Sequence, residues 1–515
     1  MKLSKLLKNL PDKSFKYKIF GNTEIEVFGV TNNTKDVRKG FIFVAIKGIH
    51  IDSHDLIKES IFLGSPVVVC EDLPEDYLGM NAVFVKVDNS RKALALLASS
   101  WYGNPFKKLK IIGVTGTKGK TTTVEIIYHI LKSAGKKVGA ISTVNATIGN
   151  KTYDTGLHVT NPEAMDLHML FKKMVDYGCK YAILEVTSHG IDQDRVGGIN
   201  YEMGILTNIS PEHLDYHKTF KNYQRVKSQL FLRSKVSILN RDDSSFDFIN
   251  NEVKNNSKVI SYGFKNKSDY FGTIGKNKKF CINIKTFEEN KNININLPGE
   301  FNAYNCLAAI VAAKELNIGW KDISKSLRTL PQIKGRLEEV VNSKGFKIYI
   351  DFAHTSDSLE NVLKLLRGMT EGNLILVFGC AGERDPLKRP KMGEISAKYA
   401  DISIITSEDP RSEKVNTIIS EIESGAKKLS VRVKNDDKFE KLKAKISGHI
   451  YFKIPERGEA IYFAIQKIAR RGDIVVICGK GHEKSMSYSG VEYPWSDYEA
   501  VESALNGRAK IIIRS

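Results

Sequence analysis

Short apolar runs that end in polar residues alternate with helix-like stretches through most of this chain. In the central part these runs are KIIGVTG (110–116), YAILEVTS (181–188) and MGILTNIS (203–210). Strands that alternate with helices predict a parallel sheet, which binds its ligands at the carboxyl ends of the strands. The predicted fold class is therefore α/β.

Changes in this pattern divide the chain into three predicted domains. Residues 1–107 carry short strands such as FIFVAI (41–46) and form a smaller α/β domain. Residues 108–333 form a central domain, in which the Asn/Lys-rich alternations CINIKTF and NININL predict antiparallel strands appended to a P-loop-type parallel sheet. Residues 334–515 return to strands that end in polar residues, which is typical of a Rossmann-like domain.

Composition excludes several classes of protein. The chain has 515 residues, of which 42% are hydrophobic and 27% charged, and no apolar run approaches the roughly 18 residues that span a bilayer. The first residues lack the apolar core of a signal peptide, so we expect a cytoplasmic protein with no membrane partner. The six cysteines are scattered singly and predict buried small residues rather than disulfides.

The stretch from Lys110 to Thr123, KIIGVTGTKGKTTT, is the strongest sign of chemistry in the chain. A strand leads into a glycine-containing turn and then into a helix that opens with Lys-Thr-Thr-Thr. Gly116 and Gly119 let backbone N–H groups turn toward a phosphate, whose terminal oxygens Lys120 can reach. Thr121 can hold Mg²⁺, so the stretch predicts a phosphate-binding loop for a nucleotide.

Two polar residues follow neighbouring strands of the sheet that carries this loop. Glu185 ends one strand, and His213 lies just after the next strand along the chain. A carboxylate and an imidazole near the threonine of the loop suit Mg²⁺ held between protein and nucleotide phosphates, although imidazole is an unusual ligand for this ion.

These residues and the loop closely resemble the Mur ligases, the ATP-dependent amide-forming enzymes of peptidoglycan assembly, over nearly the whole chain. The family's loop reads Thr-Gly-Thr-x-Gly-Lys-Thr, as residues 115–121 do, with Lys118 in place of the expected asparagine. The resemblance also places two asparagines near adenine, an arginine near the transferred phosphoryl group and an aspartate at the ribose. The implied ATP-binding set is Gly116, Thr117, Lys118, Gly119, Lys120, Thr121, Thr122, Asn302, Asn305, Arg336 and Asp351.

The resemblance implies a catalytic set that overlaps a magnesium site. Lys227, in YQRVKSQLF, matches the lysine that the family carbamylates to N6-carboxylysine, a group that helps to position a second Mg²⁺. The implied cofactor is Mg²⁺. The implied catalytic residues are Lys120, Glu185, His213 and Lys227, and the implied metal-binding residues are Thr121, Glu185, His213 and carbamylated Lys227.

Two segments narrow the resemblance to the branch that adds the third peptide residue to a UDP-MurNAc-dipeptide. They are VTNPEA (159–164) and VTSHGIDQDR (186–195). In the amino-terminal domain the usual Asp-Ser-Arg is Asn-Asn-Thr (32–34), so one cationic contact is missing, and Lys35 or Arg38 could supply the charge. The implied UDP-MurNAc-dipeptide set is Asn33, Thr34, His50, Thr160, Asn161, Thr187, Gln193 and Arg195.

The last domain is implied to choose the incoming amino acid. SEDPR (407–411) resembles the Asp-Asn-Pro-Arg of ligases that add meso-diaminopimelate, where the arginine pairs with the distal carboxylate of the substrate. The departure to Glu-Asp changes the charge beside that arginine, so meso-diaminopimelate is favoured while L-lysine stays open. The implied amino-acid-binding set is Arg384, Glu408, Asp409, Pro410, Arg411, Gly479 and Glu483.

The resemblance implies that the glutamyl carboxylate attacks the γ-phosphorus of ATP, and that the amine then attacks the resulting acyl phosphate. This chemistry asks the protein for positioning and charge neutralisation. The expected partners are ATP, the UDP-MurNAc-dipeptide and a diamino acid, with no nucleic acid, and the chain is expected to be a monomer. Three alternatives stay open: a sister ligase (folylpolyglutamate synthetase or another Mur enzyme), a nucleic-acid-binding NTPase suited to the charge of +19, and an inactive relative.

Overall fold

A computed structural model of the chain describes residues 1–48, 51–156, 160–275, 281–286, 289–433 and 448–513. The chain divides into two compact units, Met1–Leu330 and Pro331–Ser515. No helix in the described ranges is long and apolar enough to cross a membrane. All six cysteines are free; five are buried, and Cys281 is half-buried.

The first unit begins with a five-stranded sheet within its described residues. Its strands are β1 (Tyr17–Phe20), β2 (Gly29–Thr31), β3 (Phe41–Val44), β4 (Val67–Cys70) and β5 (Val83–Val87), accompanied by the helices α1 (Leu3–Lys8), α2 (Ile57–Phe62) and α3 (Ser90–Trp101). In the order β1-β5-β4-β3-β2, every neighbouring pair is parallel except β1 with β5. Asn89 caps α3 by accepting a hydrogen bond from the backbone N–H of Lys92.

The rest of the first unit is built on an eleven-stranded sheet, counted over its described residues. The strands are β6 (Lys110–Thr115), β7 (Val138–Ile141), β8 (Ala146–Ile148), β9 (Lys151–Tyr153), β10 (Tyr181–Glu185), β11 (Tyr201–Leu206), β12 (Ser234–Asn240), β13 (Lys258–Gly263), β14 (Tyr270–Ile274), β15 (Cys281–Lys285) and β16 (Asn290–Asn294). The helices are α4 (Lys120–Ser133), α5 (Ala164–Asp176), α6 (Ser188–Asp192), α7 (Leu214–His217), α8 (Phe220–Leu232), α9 (Phe246–Val253), α10 (Glu300–Glu315) and α11 (Trp320–Arg328).

Parallel strands form the middle of this sheet, and antiparallel strands form both edges. The order is β16-β15-β14-β13-β12-β11-β6-β10-β7-β8-β9, with β6 between β11 and β10. The antiparallel pairs β14–β15 and β15–β16 confirm the appended strands predicted from CINIKTF and NININL. The second antiparallel edge, β7–β8–β9, was not predicted, because three-residue strands are too short to show a period of two.

The second unit contains a seven-stranded sheet and a separate hairpin in its described part. The strands are β17 (Glu338–Val340), β18 (Lys347–Asp351), β19 (Leu374–Phe378), β20 (Ile402–Ile405), β21 (Ser430–Arg432), β22 (His449–Lys453), β23 (Ile474–Cys478), β24 (Ser485–Tyr488) and β25 (Val491–Pro494). The helices are α12 (Ser356–Arg367), α13 (Lys388–Tyr399), α14 (Val415–Ala426), α15 (Arg457–Phe463) and α16 (Asp497–Leu505). The order is β17-β18-β23-β19-β20-β22-β21, parallel throughout except for β17, and β24 pairs with β25.

Strand β19 shows why this sheet forms. All five of its residues are buried, as expected for a parallel strand that is covered on both faces. Ile375 and Val377 pack into a core with α15 and α16, while Leu374, Leu376 and Phe378 pack into a second core with α12, α13 and α14. Helices on both faces of a parallel sheet confirm the predicted α/β class and the Rossmann-like last third of the chain.

A buried ion pair joins two strand ends of the second unit. Arg457 and Asp497 are both 0% exposed; Arg457 donates from Nε and Nη2 to the two carboxylate oxygens of Asp497, at 2.8 and 2.7 Å. The same guanidinium donates to the carbonyl of Ser407, after β20, at 3.2 Å and to that of Cys478, at the end of β23, at 3.0 Å. Arg457 therefore fixes the two strand ends relative to each other.

We expect Arg457→Ala to lower the free energy of unfolding by about 3–5 kcal/mol, because it leaves the Asp497 carboxylate buried without a counter-charge. Urea unfolding followed by circular dichroism measures the loss. Lys391→Ala is the control, since its partner Glu394 is exposed and such pairs contribute less than about 1 kcal/mol. Equal losses in the two variants would contradict this account.

Candidate active site

The predicted phosphate-binding loop follows β6, the strand that lies between β10 and β11. Gly116 has φ +150° and Gly119 has φ +81°, conformations that residues with side chains rarely adopt. A Cβ at position 116 would lie 1.9 Å from Thr207 Oγ1, and one at position 119 would lie 2.3 Å from Asn305 Oδ1. Glycine is therefore required at both positions, by backbone conformation and by close packing.

Two lysine amines meet at one carbonyl of this loop. Lys120 Nζ donates to the Gly116 carbonyl at 3.1 Å, and Lys227 Nζ donates to the same oxygen at 2.8 Å. Lys227 is only 1% exposed, and burial, followed by the positive charge of Lys120, lowers the pKa of its amine well below the usual value. Lys227 is thus a buried amine beside the phosphate-binding loop that gives up its proton more readily than an ordinary lysine.

The predicted metal ligands Thr121 and Glu185 come together at the start of α4. Thr121 Oγ1 donates to Glu185 Oε2 at 2.9 Å, and the backbone N–H of Thr143 donates to the same oxygen at 3.0 Å. A hydroxyl and a carboxylate oxygen are the hard donors that Mg²⁺ binds, alongside phosphate oxygens and water. The residues present therefore fit this ion.

His213 lies in a cluster of aromatic rings that includes Tyr223, the ring that Lys227 contacts. Its ring centroid is 4.8 Å from that of His189 and 6.4 Å from that of Tyr223. Lys227 Nζ lies 4.7 Å from the centroid of the Tyr223 ring, and the Tyr223 hydroxyl is 3.3 Å from Thr117 Oγ1. Within the described ranges, no three His, Cys, Asp or Glu side chains gather into a group that could hold a metal ion.

The two asparagines predicted near adenine lie on one face of α10, against the loop. Asn305 Oδ1 accepts from Thr123 Oγ1 at 3.4 Å, and Asn305 Nδ2 donates to Asn302 Oδ1 at 3.2 Å. The remaining loop residues are held from the β11 side, where Thr207 Oγ1 donates to the Lys118 carbonyl at 2.6 Å. Thr122 is buried in the first turn of α4.

Four of the eight residues predicted to bind the UDP-MurNAc-dipeptide, Thr160, Asn161, Thr187 and Arg195, gather around Glu185. Asn161 Nδ2 donates to the Glu185 carbonyl at 2.7 Å, and Asn161 Oδ1 accepts from the Thr187 N–H at 2.9 Å and from its hydroxyl at 2.8 Å. Arg195 Nη1 donates to the Asn161 carbonyl at 2.9 Å, and Thr143 Oγ1 donates to Thr160 Oγ1 at 3.0 Å. Asn161 therefore organises the strand end around it.

Gln193 lies further out, where its Nε2 donates to the Tyr216 hydroxyl at 3.5 Å. In the amino-terminal sheet, Asn33 caps a short turn by accepting from the Lys35 N–H at 3.1 Å, and Thr34 follows it. The predicted His50 lies outside the described residues.

Arg336 and Asp351 lie in the second unit. Asp351 ends β18, and its carboxylate accepts from the N–H groups of Leu337 at 2.6 Å and Ala353 at 2.7 Å. Burial raises the pKa of Asp351. The Arg336 guanidinium lies 4.7 Å from the centroid of the Phe352 ring. Both groups therefore stand at the carboxyl edge of the second sheet.

The predicted amino-acid-binding residues occupy the segments after β19, β20 and β23. Asp409 lies 3.8 Å from both Arg411 Nε and Lys480 Nζ, and Lys480 pairs with Glu483 at 2.5 Å. Pro410 lies between Asp409 and Arg411, its backbone against Gly382. Arg384 is exposed in the segment after β19.

Glu408 and Asp409 are both buried carboxyl groups of this set, and the pKa of Glu408 is shifted. Glu408 is 5% exposed, and its Oε2 lies 2.8 Å from the position that a Cβ on Gly479 would take. Burial raises the pKa of Glu408 to about 7, against the lowering effect of Lys388, Arg457 and Lys480. The glutamate in place of the expected aspartate is therefore largely protonated below neutral pH.

Three contributors to these sites were not predicted: Thr143, Tyr223 and Lys480. None belongs to the matched loop pattern, and each contributes through a contact between separate segments. One feature could have indicated Thr143 as a site residue: it follows β7, the neighbour of β10 in the parallel sheet, and ligands bind at such strand ends.

The fold and the loop together define a nucleotide-binding α/β protein with a separate Rossmann-like unit. The family model described as Mur ligase middle domain matches residues 114–313, and that described as Mur ligase, glutamate ligase domain matches residues 335–481. A UDP-N-acetylmuramoyl-L-alanyl-D-glutamate--2,6-diaminopimelate ligase of Clostridium perfringens is 38% identical over 99% of this chain and 100% of its own length. The chain belongs to the Mur ligase family, which confirms the resemblance.

Other relatives agree with this assignment. A ligase of the same name from Geobacillus kaustophilus is 36% identical over 94% of this chain and 95% of its own. A solved structure of a ligase with that name has a TM-score of 0.65 at 27% identity, over 98% of this chain and 99% of the other. Folylpolyglutamate synthase of Mycobacterium tuberculosis, solved with ADP and AMPPCP, shares only the fold, with a TM-score of 0.60 at 15% identity over 76% of this chain and 92% of its own.

We expect the stability of the second unit to fall as pH rises from about 4.5 to 7, because Glu408 keeps its proton in the folded chain and releases it on unfolding. Glu408→Gln removes this dependence. The free energy of unfolding of the variant should therefore exceed that of the wild type by up to about 3 kcal/mol at pH 8 and by little at pH 5. Thermal unfolding at both pH values measures the difference. Glu502→Gln, at an exposed position of α16, is the control. Parallel pH profiles of Glu408→Gln and the wild type would contradict the prediction.

Proposed function

We propose that this chain is an ATP-dependent ligase that joins meso-diaminopimelate to the glutamyl carboxyl group of UDP-MurNAc-L-Ala-D-Glu in the cytoplasm, acting as a monomer. The observation that carries the proposal is similarity over essentially the full length to ligases whose names specify 2,6-diaminopimelate. Arg411 supports the same amino acid, because a planar guanidinium suits a second carboxylate, which L-lysine lacks.

The residues around the phosphate-binding loop have separate roles in phosphoryl transfer. The glutamyl carboxylate attacks the γ-phosphorus, ADP leaves, and the amine of the incoming amino acid then displaces phosphate from the acyl phosphate. Lys120, which now donates to loop carbonyls, supplies positive charge to the phosphate oxygens. Mg²⁺, held through Thr121 and Glu185, would supply further charge neutralisation.

The substrate carboxylate needs positioning next to this charge. Thr160 and Thr187 lie beside Glu185, joined to it through Thr143 and Asn161. Residues that bind the dipeptide and residues that bind metal thus share one hydrogen-bonded frame, which supports a carboxylate acceptor brought to the γ-phosphate. The second unit contributes the amino-acid-binding segments.

We expect purified protein with Mg²⁺, ATP and UDP-MurNAc-L-Ala-D-Glu to release phosphate only when a diamino acid is added. With meso-diaminopimelate and L-lysine offered together, mass spectrometry should find mainly the diaminopimelate product. Arg411→Ala should reduce this preference by about tenfold, because one charge-assisted contact is lost. Hydrolysis stimulated by duplex DNA in place of these substrates would instead support a nucleic-acid-dependent NTPase.

We also propose that Lys227 is carbamylated. Its buried amine lies 2.8 Å from the Gly116 carbonyl, and burial lowers its pKa, which favours the neutral form that attacks CO₂ and loses a proton as the N–C bond forms. Protein equilibrated with ¹³C-bicarbonate should then show one carbamate carbon signal by NMR, which disappears in Lys227→Arg because the neutral amine is gone. Lys110→Arg is the control, at a lysine that is about half exposed. A signal that persists in Lys227→Arg would contradict the assignment.

A further inference from the structure

The end of the SEDPR segment is held on both sides, like the middle strand of a small sheet. On one side, the Gly382 N–H donates to the Asp409 carbonyl at 2.9 Å. On the other side, the Ser487 N–H donates to Asp409 Oδ1 at 2.6 Å, and the Ser487 carbonyl accepts from the Arg411 N–H at 2.9 Å. The Ser489 N–H donates to the Arg411 carbonyl at 2.6 Å.

Arg411 depends on this support because its backbone is left-handed. Its φ is +55°, a region that residues other than glycine rarely occupy. Both backbone hydrogen-bonding groups of Arg411 are bonded to the β24–β25 hairpin segment, residues 485–494. The hairpin thus stabilises a conformation that the arginine would not keep by itself, and the direction of its side chain depends on that conformation.

The hairpin packs Met486 and Tyr488 into the core with α15 and α16, and its backbone edge makes the contact with the SEDPR segment. The match to the family's glutamate ligase domain ends at residue 481, before the hairpin begins. In the described part of the chain, β24 and β25 form a two-stranded sheet of their own. Ser487 directs both its backbone N–H and its carbonyl at the SEDPR segment, so the outer edge of β24 is used for this contact.

We propose that the β24–β25 hairpin is a positioning element for amino-acid selection. By fixing the backbone of Arg411, it orients the guanidinium toward the distal carboxylate of a diamino dicarboxylic acid. The inference rests on the proposed function. It predicts that loss of the hairpin contact affects substrates with a distal carboxylate more than substrates without one, whereas a purely structural role would affect both equally. A substrate without a distal carboxylate gains nothing from an oriented Arg411, so its turnover does not depend on the hairpin contact.

Ser487→Pro tests this directly, because it deletes the N–H that bonds to Asp409 while that N–H takes no part in the pairing of β24 with β25. Ser487→Ala is the matched control, since it removes the hydroxyl and keeps the backbone. We expect kcat/KM for meso-diaminopimelate to fall about tenfold in Ser487→Pro, mainly through KM. We expect kcat/KM for L-lysine to change less than about twofold and KM for ATP to stay constant.

Equal losses for both amino acids, or an unchanged preference in Ser487→Pro, would overturn the inference. If circular dichroism shows that Ser487→Pro does not fold, Asp409→Ala takes its place, with Asp409→Asn as the control that keeps an acceptor oxygen. The same two outcomes then decide. A wild-type protein that ligates neither amino acid contradicts the proposed function, and the inference with it.

Discussion

The carboxylate of Glu185 is the group on which the first unit depends. It ends β10, is 2% exposed, and accepts from the first turn of α4 after β6 and from the segment after β7. A buried carboxylate without partners would be costly, so three neighbouring strand ends must meet at this point. The position of the loop relative to Asn161 and Thr187, which are predicted to bind the dipeptide, follows from this requirement, because the loop and Asn161 are both joined to Glu185.

In the second unit, a buried cation joins neighbouring strand ends in the same way. Arg457 donates to the carbonyls at the ends of β20 and β23, and Asp497 compensates its charge. The segments that begin with Glu408 and Gly479 follow directly from these carbonyls. Their mutual placement is thus set by one buried guanidinium, whose fork of donors lysine could not reproduce. In both units the polar groups of parallel strand ends, which the sheet leaves without partners, become the frame of the site.

Local patterns explain what could be predicted from the sequence. The loop at 115–121 lies in consecutive residues, and β19 and β23 are continuous apolar runs. The loop and the two strands could therefore be predicted without tertiary information. The partners of those residues could not. That Thr143 meets Glu185 follows from β7 lying next to β10, and that the Tyr223 hydroxyl lies 3.3 Å from Thr117 Oγ1 follows from the packing of α8 beside the loop. Strand order and side-chain packing are tertiary properties, which spacing along the chain does not encode.

The change from Asp-Asn to Glu-Asp beside Arg411 illustrates how such contacts decide a question that the sequence left open. The change adds one negative charge, and two carboxylates beside the arginine would compete with a substrate carboxylate for it. Burial raises the pKa of Glu408 to about 7, so near neutral pH this residue carries only part of a charge. The Asp409 carboxylate lies as close to Lys480 as to Arg411 and also accepts from the Ser487 N–H, so its charge is shared. Its closest approach to Arg411 is through Nε, which leaves the end of the guanidinium with two nitrogens for a bidentate carboxylate. The balance of charge therefore favours a substrate with a distal carboxylate over L-lysine.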